Sequence, residues 1–392
     1  MKSITKLDPQ DWMKAAETRT IISALGAGAA LFVGGAVRNA LLGVAVDDID
    51  IATILKPEQV IAQCAAAEVK TIPTGIDHGT VTAVVNGKPF EITTLRKDLE
   101  TDGRRAVVGF SNDWGEDARR RDFTMNTLLM NIDGEVFDPL GQGLDHLRAR
   151  KVVFVGDPKQ RIAEDYLRIL RYFRFCALYG RGEMDEGALS ACHAASSEIK
   201  TLSKERITQE FFKILSVDNP VSVLDIMFEN NILTELSKVG YDSEFLTHLC
   251  TFQNNYSLGF LSARLLALVG LKAEGLTLFE EFLLIPKVFR RDIQAISQIL
   301  LLPDLSNDHA VKVAIYHHGR VPTAQSLMIE LANDRVMNGY APAALDIIQN
   351  WDIPNFPISG EDLIKEGQKP GPALGAELQR REAEWIEKGF TL

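Results

Sequence analysis

The chain has 392 residues, a hydrophobic fraction of 46% and a formal net charge of −11. This length is typical of two or three domains, and the composition is that of a globular protein with a buried core. No run of about 18 apolar residues occurs, which argues against a transmembrane helix. The N-terminal sequence MKSITKLDPQDW lacks the apolar segment of a secretory signal. The four cysteines form no CxxC pair, so neither a zinc site nor a disulfide framework is indicated. We therefore expect a cytoplasmic protein that does not contact membranes.

Short strands and turns alternate over the first 150 residues. In chain order, strands are predicted in LFVGG, DIDIAT, VTAVVNG and FEITTLR. A short helix is expected to begin after Gly34 and Gly35. Asn86 and Gly87 separate two apolar runs, which is typical of a two-residue β-hairpin turn. These segments together predict a small mixed β-sheet.

Helical periodicity replaces this alternation after about Lys151. Helices are predicted in AEDYLRILRYFRFCALY, KERITQEFFKIL and VSVLDIMFENNILTEL, and a final helix begins at Pro372. We therefore predict an α+β fold. Its mixed-sheet head spans residues 1–150, and three all-α segments follow at residues 151–215, 216–300 and 301–392.

The two glycines separate a strand from a helix. A Gly-Gly step allows the backbone to approach a ligand closely, and the free N–H groups at a helix start attract phosphate. Arg38, one turn into the helix, can add a bidentate phosphate contact. The alternative is a tight turn without a ligand, because the sequence is neither GxGxxG nor a GK[ST] phosphate loop.

Two aspartates follow on the next predicted strand. Asp48 and Asp50 are two residues apart, so a strand places both carboxylates on one face. Magnesium ions favour one or two such carboxylates together with substrate phosphates. Glu91, on the strand in FEITTLR, is a candidate third carboxylate, and three carboxylates on neighbouring strands fit two-metal nucleotidyl transfer. An acidic turn and a solvent-facing strand residue are the alternatives.

Further motifs follow in a fixed order. They are HGTVTAVV, EITTLR, RRDFTMN, DPLGQGLDHL, EDYLRILRYFRF and SKERITQEF. With GGAVRN and DDIDIAT, this order resembles class II CCA-adding tRNA nucleotidyltransferases and the related bacterial poly(A) polymerases. The resemblance covers roughly residues 31–215. The tail sequence ISGEDLIKEGQKPGPALG also resembles the C-terminal region of the CCA-adding enzymes.

The resemblance implies a domain plan and a reaction. Residues 1–150 would form the catalytic head, residues 151–215 a neck with the nucleotide-selecting helix, residues 216–300 a body, and residues 301–392 a tRNA-binding tail. The substrates would be CTP, ATP and the acceptor arm and 3′ end of tRNA. Two Mg²⁺ ions would take part in catalysis.

Roles for the motif residues follow from the same resemblance. Asp48 and Asp50 would be metal ligands, with Glu91 as the third catalytic carboxylate. The triphosphate would be held by Gly34, Gly35 and Arg38, and the nucleotide and its ribose would be contacted by Arg121 and Asp122. One departure is Asn39, where the family usually has Asp.

The EDYLR motif resembles the family's protein template for nucleotide choice. On a helix, Asp165 and Arg168 would be neighbours, with one accepting and the other donating hydrogen bonds. Cytosine and adenine both present an amino donor beside a ring-nitrogen acceptor, which matches this pair, whereas uracil and guanine do not. Arg171 is placed in the same site, and Arg174 is expected on the tRNA side.

The segment RKDLETDGRRAVVGFSNDWGEDAR is predicted to be a mobile loop, because it combines Asp-Gly with mixed charges. In the CCA-adding relatives a loop here helps the switch from C to A addition. Asp102 and Arg105 are the candidates for this role. A plain surface loop is the alternative.

Four functions remain open from the sequence. CCA addition is favoured, because the basic insertion of bacterial poly(A) polymerases is not recognisable. The others are poly(A) synthesis, addition of A alone, and RNA binding without catalysis. The three intact carboxylates argue against the last.

Overall fold

The computed structural model describes residues 1–26, 28–102, 105–181, 184–237, 240, 242–259 and 261–391. Its chain divides into two compact units. One contains residues 1–214 and 226–235, and the other contains residues 215–225 and 236–392. The four-part division expected from the sequence is finer than these two units and stays a prediction.

The first unit contains the strands. They are β1 (Thr5–Lys6), β2 (Ala30–Val33), β3 (Asp50–Thr53), β4 (Lys70–Gly75), β5 (Thr80–Val85), β6 (Lys88–Thr94), β7 (Arg96–Asp102), β8 (Arg105–Phe110), β9 (Leu129–Met130) and β10 (Glu135–Phe137). Eight of them form one sheet in the order β1-β10-β9-β2-β3-β6-β5-β4, and β7 pairs with β8 in a separate ribbon. Only the β3–β6 pair is parallel among the described pairs of the large sheet. The predicted mixed sheet is therefore confirmed.

The hairpin between β5 and β6 has the predicted turn. Asn86 and Gly87 both have positive φ, at 50° and 81°. A two-residue turn with two positive φ values matches the right-handed twist of its strands, and Asn-Gly adopts it at low cost. This turn sets the register in which Glu91 lies opposite Thr82.

Both faces of the large sheet have buried residues. Ile51, Ile92 and Val81 lie in register across β3, β6 and β5 and are fully buried. Because side chains alternate along a strand, Asp50 and Glu91 point to the other face. On that face Asp50 lies opposite Val33, which belongs to a second buried cluster, so the strand register places the acids beside apolar packing.

Helices complete the first unit and connect it to the second. In chain order they are α1 (Asp11–Lys14), α2 (Ala16–Leu25), α3 (Gly35–Leu42), α4 (Pro57–Ala66), α5 (Trp114–Arg119), α6 (Gly143–Arg148), α7 (Pro158–Glu164), α8 (Leu167–Tyr179), α9 (Glu186–Ala194), α10 (Lys204–Leu215), α11 (Val221–Glu229) and α12 (Ile232–Ser237). Helices α2 and α4 contact each other and the sheet. The strand-to-helix change predicted near Lys151 and the final helix at Pro372 are both confirmed.

Among its described residues, the second unit contains helices joined by turns and irregular segments, and no strand. Its remaining helices are α13 (Ser243–Asn255), α14 (Leu261–Ala267), α15 (Thr277–Glu280), α16 (Lys287–Ile299), α17 (Asp308–His318), α18 (Arg320–Ala332), α19 (Ala341–Asn350), α20 (Gly360–Lys365) and α21 (Pro372–Glu387). Across the described ranges of the whole chain, no helix is both long enough and apolar enough to span a bilayer.

A buried carboxyl lies in the second unit, on the central helix α18. Glu330 is fully buried, and its Oε2 accepts a hydrogen bond from the Leu305 backbone N–H at 2.7 Å. Its Oε1 has no hydrogen-bond partner among the described residues. Burial raises the pKa of Glu330 to about 7. The folded state therefore retains a proton that the unfolded chain releases at lower pH.

The raised pKa of Glu330 predicts that the stability of the protein depends on pH. Between the unfolded pKa of 4.5 and the folded pKa of about 7, the folded state binds more protons, so the free energy of unfolding falls as the pH rises, by about 3 kcal/mol in total. Glu330→Gln should lack this pH-dependent part of the free energy of unfolding and be more stable than the wild type at pH 8. Denaturation followed by tryptophan fluorescence, to which Trp351 and Trp385 of the second unit contribute, measures it. Glu361→Gln, at an exposed site, should keep the wild-type pH dependence, and an unchanged profile in Glu330→Gln would contradict the assignment.

Candidate active site

The glycine turn lies where β2 ends and α3 begins. Gly34 has φ 64° and ψ −123°, a backbone conformation that side-chain-bearing residues rarely adopt. A Cβ placed there would lie 3.7 Å from Asp50 Oδ2 and 3.9 Å from Arg121 Nη1. The turn therefore places the start of α3 directly beside an acid and an arginine.

The acids lie next to this turn because of the strand register. Asp50 is opposite Val33 on β2 and opposite Glu91 on the parallel strand β6. The strand begins at Asp50, so the prediction that Asp48 is also on the strand is wrong. Asp48 precedes the strand and is exposed. Buried Ile49 separates it from Asp50.

The pKa of Asp50 reflects its burial and the two neighbouring carboxylates. Burial raises the pKa of Asp50, and the negative charges of Glu91 and Asp48 raise it further. Like charges held this close favour a cation between them. In the part of the chain that the structure describes, no group of three His, Cys, Asp or Glu side chains is arranged to hold a metal by itself. A divalent ion at Asp50 would thus need oxygens from water or substrate phosphate, which suits Mg²⁺.

Arg38 has several partners within the protein, and its predicted contact with the triphosphate stays a prediction. Its guanidinium is buried, and it donates to Asn126 Oδ1 at 2.8 Å, to Asn39 Oδ1 at 3.0 and 3.2 Å, and to the Tyr179 hydroxyl at 2.6 Å. These contacts use four of its five N–H donors. A bidentate phosphate contact by Arg38 would require breaking at least one of them.

Asp122 is buried in the same network. Its Oδ1 accepts from the Phe123 backbone N–H at 2.8 Å and from Asn126 Nδ2 at 2.9 Å, and its Oδ2 accepts from Arg171 Nε at 2.9 Å. Burial alone would raise the pKa of Asp122, but Arg171 and these hydrogen bonds outweigh it and lower the pKa. Asp122 therefore stays ionised and fixes Arg171. Its predicted contact with a ribose stays a prediction.

Asp165 and Arg168 do not pair with each other. Asp165 is extended and lies in the break between α7 and α8, so the prediction of one continuous helix here is wrong. Asp165 Oδ2 accepts from Arg206 Nη2 at 2.8 Å, while Arg168 Nη1 donates to Glu164 Oε2 at 2.6 Å. The break turns the Asp165 carboxylate toward α10 rather than along α8.

A cavity of about 490 Å³ joins these elements. Its lining includes all eight predicted nucleotide-binding residues and the predicted metal ligand Asp50; the eight are Gly34, Gly35, Arg38, Arg121, Asp122, Asp165, Arg168 and Arg171. Asp48 and Glu91 are not part of the lining. Sequence reasoning did not place in this site the other lining residues, namely Asn126, Leu167, Arg174, Phe175, Tyr179 and Arg206.

For some of these residues, their spacing along α8 could have predicted that they line the site. Positions 168, 171, 175 and 179 follow one another at three or four residues on α8, and so share a face. Arg174, expected on the tRNA side, also lines the cavity. It is held by Glu210 at 2.8 Å, and its guanidinium lies 4.9 Å from the centre of the Phe175 ring.

The segment predicted to be a loop contains the β7–β8 ribbon and helix α5, so the expected lack of regular structure is wrong, while its mobility stays a prediction. Strands β7 and β8 pair antiparallel, with Asp102 opposite Arg105. The side chains of Asp102 and Arg105 lie outside the described part of the structure. Their role in nucleotide switching therefore stays a prediction.

Charge defines what the cavity can bind. Six arginines and three aspartates line it, so its lining has an excess of positive charge, whereas the whole chain has a net charge of −11. An anionic ligand of about triphosphate size fits such a cavity. Carboxylates that suit a divalent ion lie at the adjoining glycine turn. This fold and site define a nucleotidyltransferase.

Comparison with known proteins supports this class. Residues 30–153 match the family described as "Poly A polymerase head domain", and residues 183–239 match "Probable RNA and SrmB- binding site of polymerase A". The mouse protein named CCA tRNA nucleotidyltransferase 1, mitochondrial, is 34% identical over 382 residues, covering 92% of this chain and 83% of that protein. A CCA-adding enzyme of Streptococcus pyogenes is 31% identical, covering 97% and 94%.

A solved structure gives the same result. The crystal structure of the Bacillus stearothermophilus CCA-adding enzyme in complex with CTP has 26% sequence identity and a TM-score of 0.78. The match covers 95% of this chain and 93% of that one. The chain belongs to the family of CCA-adding tRNA nucleotidyltransferases.

The acid cluster predicts a metal-dependent stability. Without divalent ions, Asp50→Asn should unfold at a higher temperature than the wild type, because it removes a half-buried charge near Asp48 and Glu91. A gain of about 1 kcal/mol corresponds to roughly 2–4 °C. Adding MgCl₂ should then raise the midpoint of the wild type but not that of Asp50→Asn. Thermal melts with and without Mg²⁺ measure both effects.

Asp47→Asn is the matched control and should respond to Mg²⁺ like the wild type. If Mg²⁺ raised the midpoint of Asp50→Asn as much as that of the wild type, a metal site at Asp50 would be refuted.

Proposed function

We propose that this protein adds C, C and A to the 3′ end of tRNA, using CTP and ATP and no nucleic-acid template. The observation that carries the proposal is the juxtaposition of Asp50 with the arginine-lined cavity across the Gly34 turn. This arrangement brings a triphosphate-sized anion site against carboxylates suited to divalent ions. The names of the relatives support the choice of tRNA and CCA.

The proposed reaction joins the RNA 3′-oxygen to the α-phosphorus of the nucleotide. As this bond forms, the bond from the α-phosphorus to its bridging oxygen breaks, pyrophosphate leaves with that oxygen, and the hydroxyl proton passes to solvent. Asp48 and Asp50, with Glu91 as the third carboxylate, would hold two Mg²⁺ ions, whose chemistry is to activate the hydroxyl and stabilise the leaving group. Gly34 and Gly35 would present backbone N–H groups to the phosphates.

Base choice is assigned to Asp165 and Arg168. Arg206 fixes the Asp165 carboxylate, and Glu164 fixes the Arg168 guanidinium. Each is thus held in place before a base arrives. A carboxylate accepts from the amino group of cytosine or adenine, and a guanidinium donates to the neighbouring ring nitrogen. Uracil and guanine would leave these groups unpaired.

The domain plan and the location belong to the same proposal. The segment at 301–392 is proposed to bind tRNA. Arg380 and Arg381 there form ion pairs with Glu377, Glu384 and Glu366, so other cations would contact the RNA phosphates. A cytoplasmic location is proposed, although the mammalian relatives are named as mitochondrial. Fractionation of cells expressing a tagged chain tests the location.

Poly(A) synthesis and addition of A alone are the rival functions. Both would use the same carboxylates and arginines, and only the products separate them. The curated relatives cited above bear CCA-adding names, which favours CCA addition.

The catalytic assignment predicts a loss of activity without a loss of fold. Asp48→Ala combined with Asp50→Ala should reduce nucleotide incorporation into a tRNA lacking CCA to background, because the metal ligands are gone. Gel analysis of the labelled tRNA measures this. Asp47→Ala, at the neighbouring exposed acid, should keep the wild-type rate. If the double variant still extended the tRNA, with an unchanged circular dichroism spectrum, the metal-site assignment would be contradicted.

The selectivity assignment predicts a relaxed choice of base. In Asp165→Asn, the amide N–H₂ can donate to uracil O4, so the ratio of kcat/KM for CTP to that for UTP should fall by about tenfold or more. Steady-state incorporation with each nucleotide gives this ratio. Glu205→Gln removes a charge at an exposed position on α10 and should leave the ratio unchanged. A ratio preserved in Asp165→Asn would show that this residue does not read the base.

A further inference from the structure

Arg38 is the cavity arginine that is held without a carboxylate. Among the described residues, no acid lies within ion-pair distance of it, and its recorded hydrogen-bond acceptors are two amide oxygens and a hydroxyl. The other five lining arginines each form an ion pair with an acid. The charge of Arg38 is therefore not compensated by a direct partner.

Asn39 alone cannot satisfy this guanidinium. Its one side-chain oxygen accepts from both Nε and Nη2 of Arg38, at 3.2 and 3.0 Å, and its Nδ2 donates to the Ala45 carbonyl at 3.0 Å. An amide offers a single oxygen where a carboxylate would offer two. A second acceptor must come from elsewhere for the remaining Nη2 hydrogen.

Tyr179 supplies that acceptor from another element. It is the last residue of α8, and its hydroxyl accepts from Arg38 Nη2 at 2.6 Å. The guanidinium carbon also lies 4.1 Å from the centre of the Tyr179 ring and 5.1 Å from that of Phe175. Arg38 on α3 is thus bound by hydrogen bond and ring contact to the helix that also contains Arg168 and Arg171.

We propose that Tyr179 is a positioning residue that holds the uncompensated Arg38 cation toward the triphosphate and fixes α3 relative to α8. With Asn39, it takes the place of a carboxylate that would hold Arg38 but neutralise its charge. This inference rests on the proposed function, because it assigns a role within nucleotide binding. It concerns the phosphate part of the nucleotide, not the choice of base.

The test is Tyr179→Phe, which keeps the ring and removes the hydroxyl. We expect kcat/KM for CTP to fall about tenfold, as for the loss of one hydrogen bond to a charged group, with the change in KM for CTP and not in KM for tRNA. Inhibition by inorganic tripolyphosphate, which tests the phosphate site alone, should weaken by a similar factor. Tyr172→Phe is the matched control, since that buried hydroxyl on α8 contacts the Asp185 backbone and not Arg38; it should leave the KM for CTP unchanged.

Repeating Tyr179→Phe in the Asn39→Asp variant distinguishes a positioning role of the hydroxyl from a role in packing alone. In Asn39→Asp, the oxygen that accepts from Arg38 Nε and Nη2 becomes part of a charged carboxylate, so adding Tyr179→Phe should lower kcat/KM for CTP less than threefold rather than about tenfold. Equal costs in both backgrounds, or a wild-type KM for CTP in Tyr179→Phe, would overturn the proposal. Failure of the wild type itself to incorporate CTP would instead refute the proposed function, so the two outcomes are distinct.

Discussion

The structure around the cavity depends on holding six arginines close together in one small volume. Guanidinium groups repel one another, and each needs an acceptor that fixes it. Five of them use acids from different elements: Asp117 on α5, Asp122 before the Thr124–Asn126 turn, Glu164 on α7, Asp165 in the helix break and Glu210 on α10. The sixth, Arg38, uses neutral groups. The cavity is thus assembled from elements that are far apart in sequence.

This constraint links the parts of the first unit. The register of β3 and β6 places Asp50 beside Glu91, the Gly34 turn brings α3 against Asp50, and Arg38 connects α3 to α8. Helix α8 then presents Arg168 and Arg171 to the same cavity. A ligand that bridges the carboxylates and the arginines would contact both the sheet and the helices.

Local features of the structure were predictable from the sequence, because they depend on neighbouring residues. The Asn86-Gly87 turn follows from backbone preference, and the strand-to-helix step at Gly34 follows from the glycine pair. The motif residues were also placed together, although through resemblance to a family. Composition alone would have pointed away from an anion site, since the excess acid lies elsewhere in the chain.

Pairings between distant elements were not predictable. Asp165 was expected to lie beside Arg168 on a helix, but its extended backbone directs it to Arg206, 41 residues away. The contacts of Arg38 with Asn126 and Tyr179 were not predicted either. Such partners depend on the packing of α3, α8 and α10, which no single segment encodes. The β7–β8 ribbon was missed because mixed charges and Asp-Gly are typical of loops as well as of hairpins.

The central claim, addition of CCA and nothing more, is tested most directly by the products on a labelled tRNA that lacks all three nucleotides. Purified protein and Mg²⁺ would be given CTP, ATP, both, or GTP with UTP. The account predicts two added residues with CTP, three with CTP and ATP followed by a stop, and none with GTP and UTP. A long ladder with ATP alone, or a single A added only to tRNA already ending in CC, would contradict it.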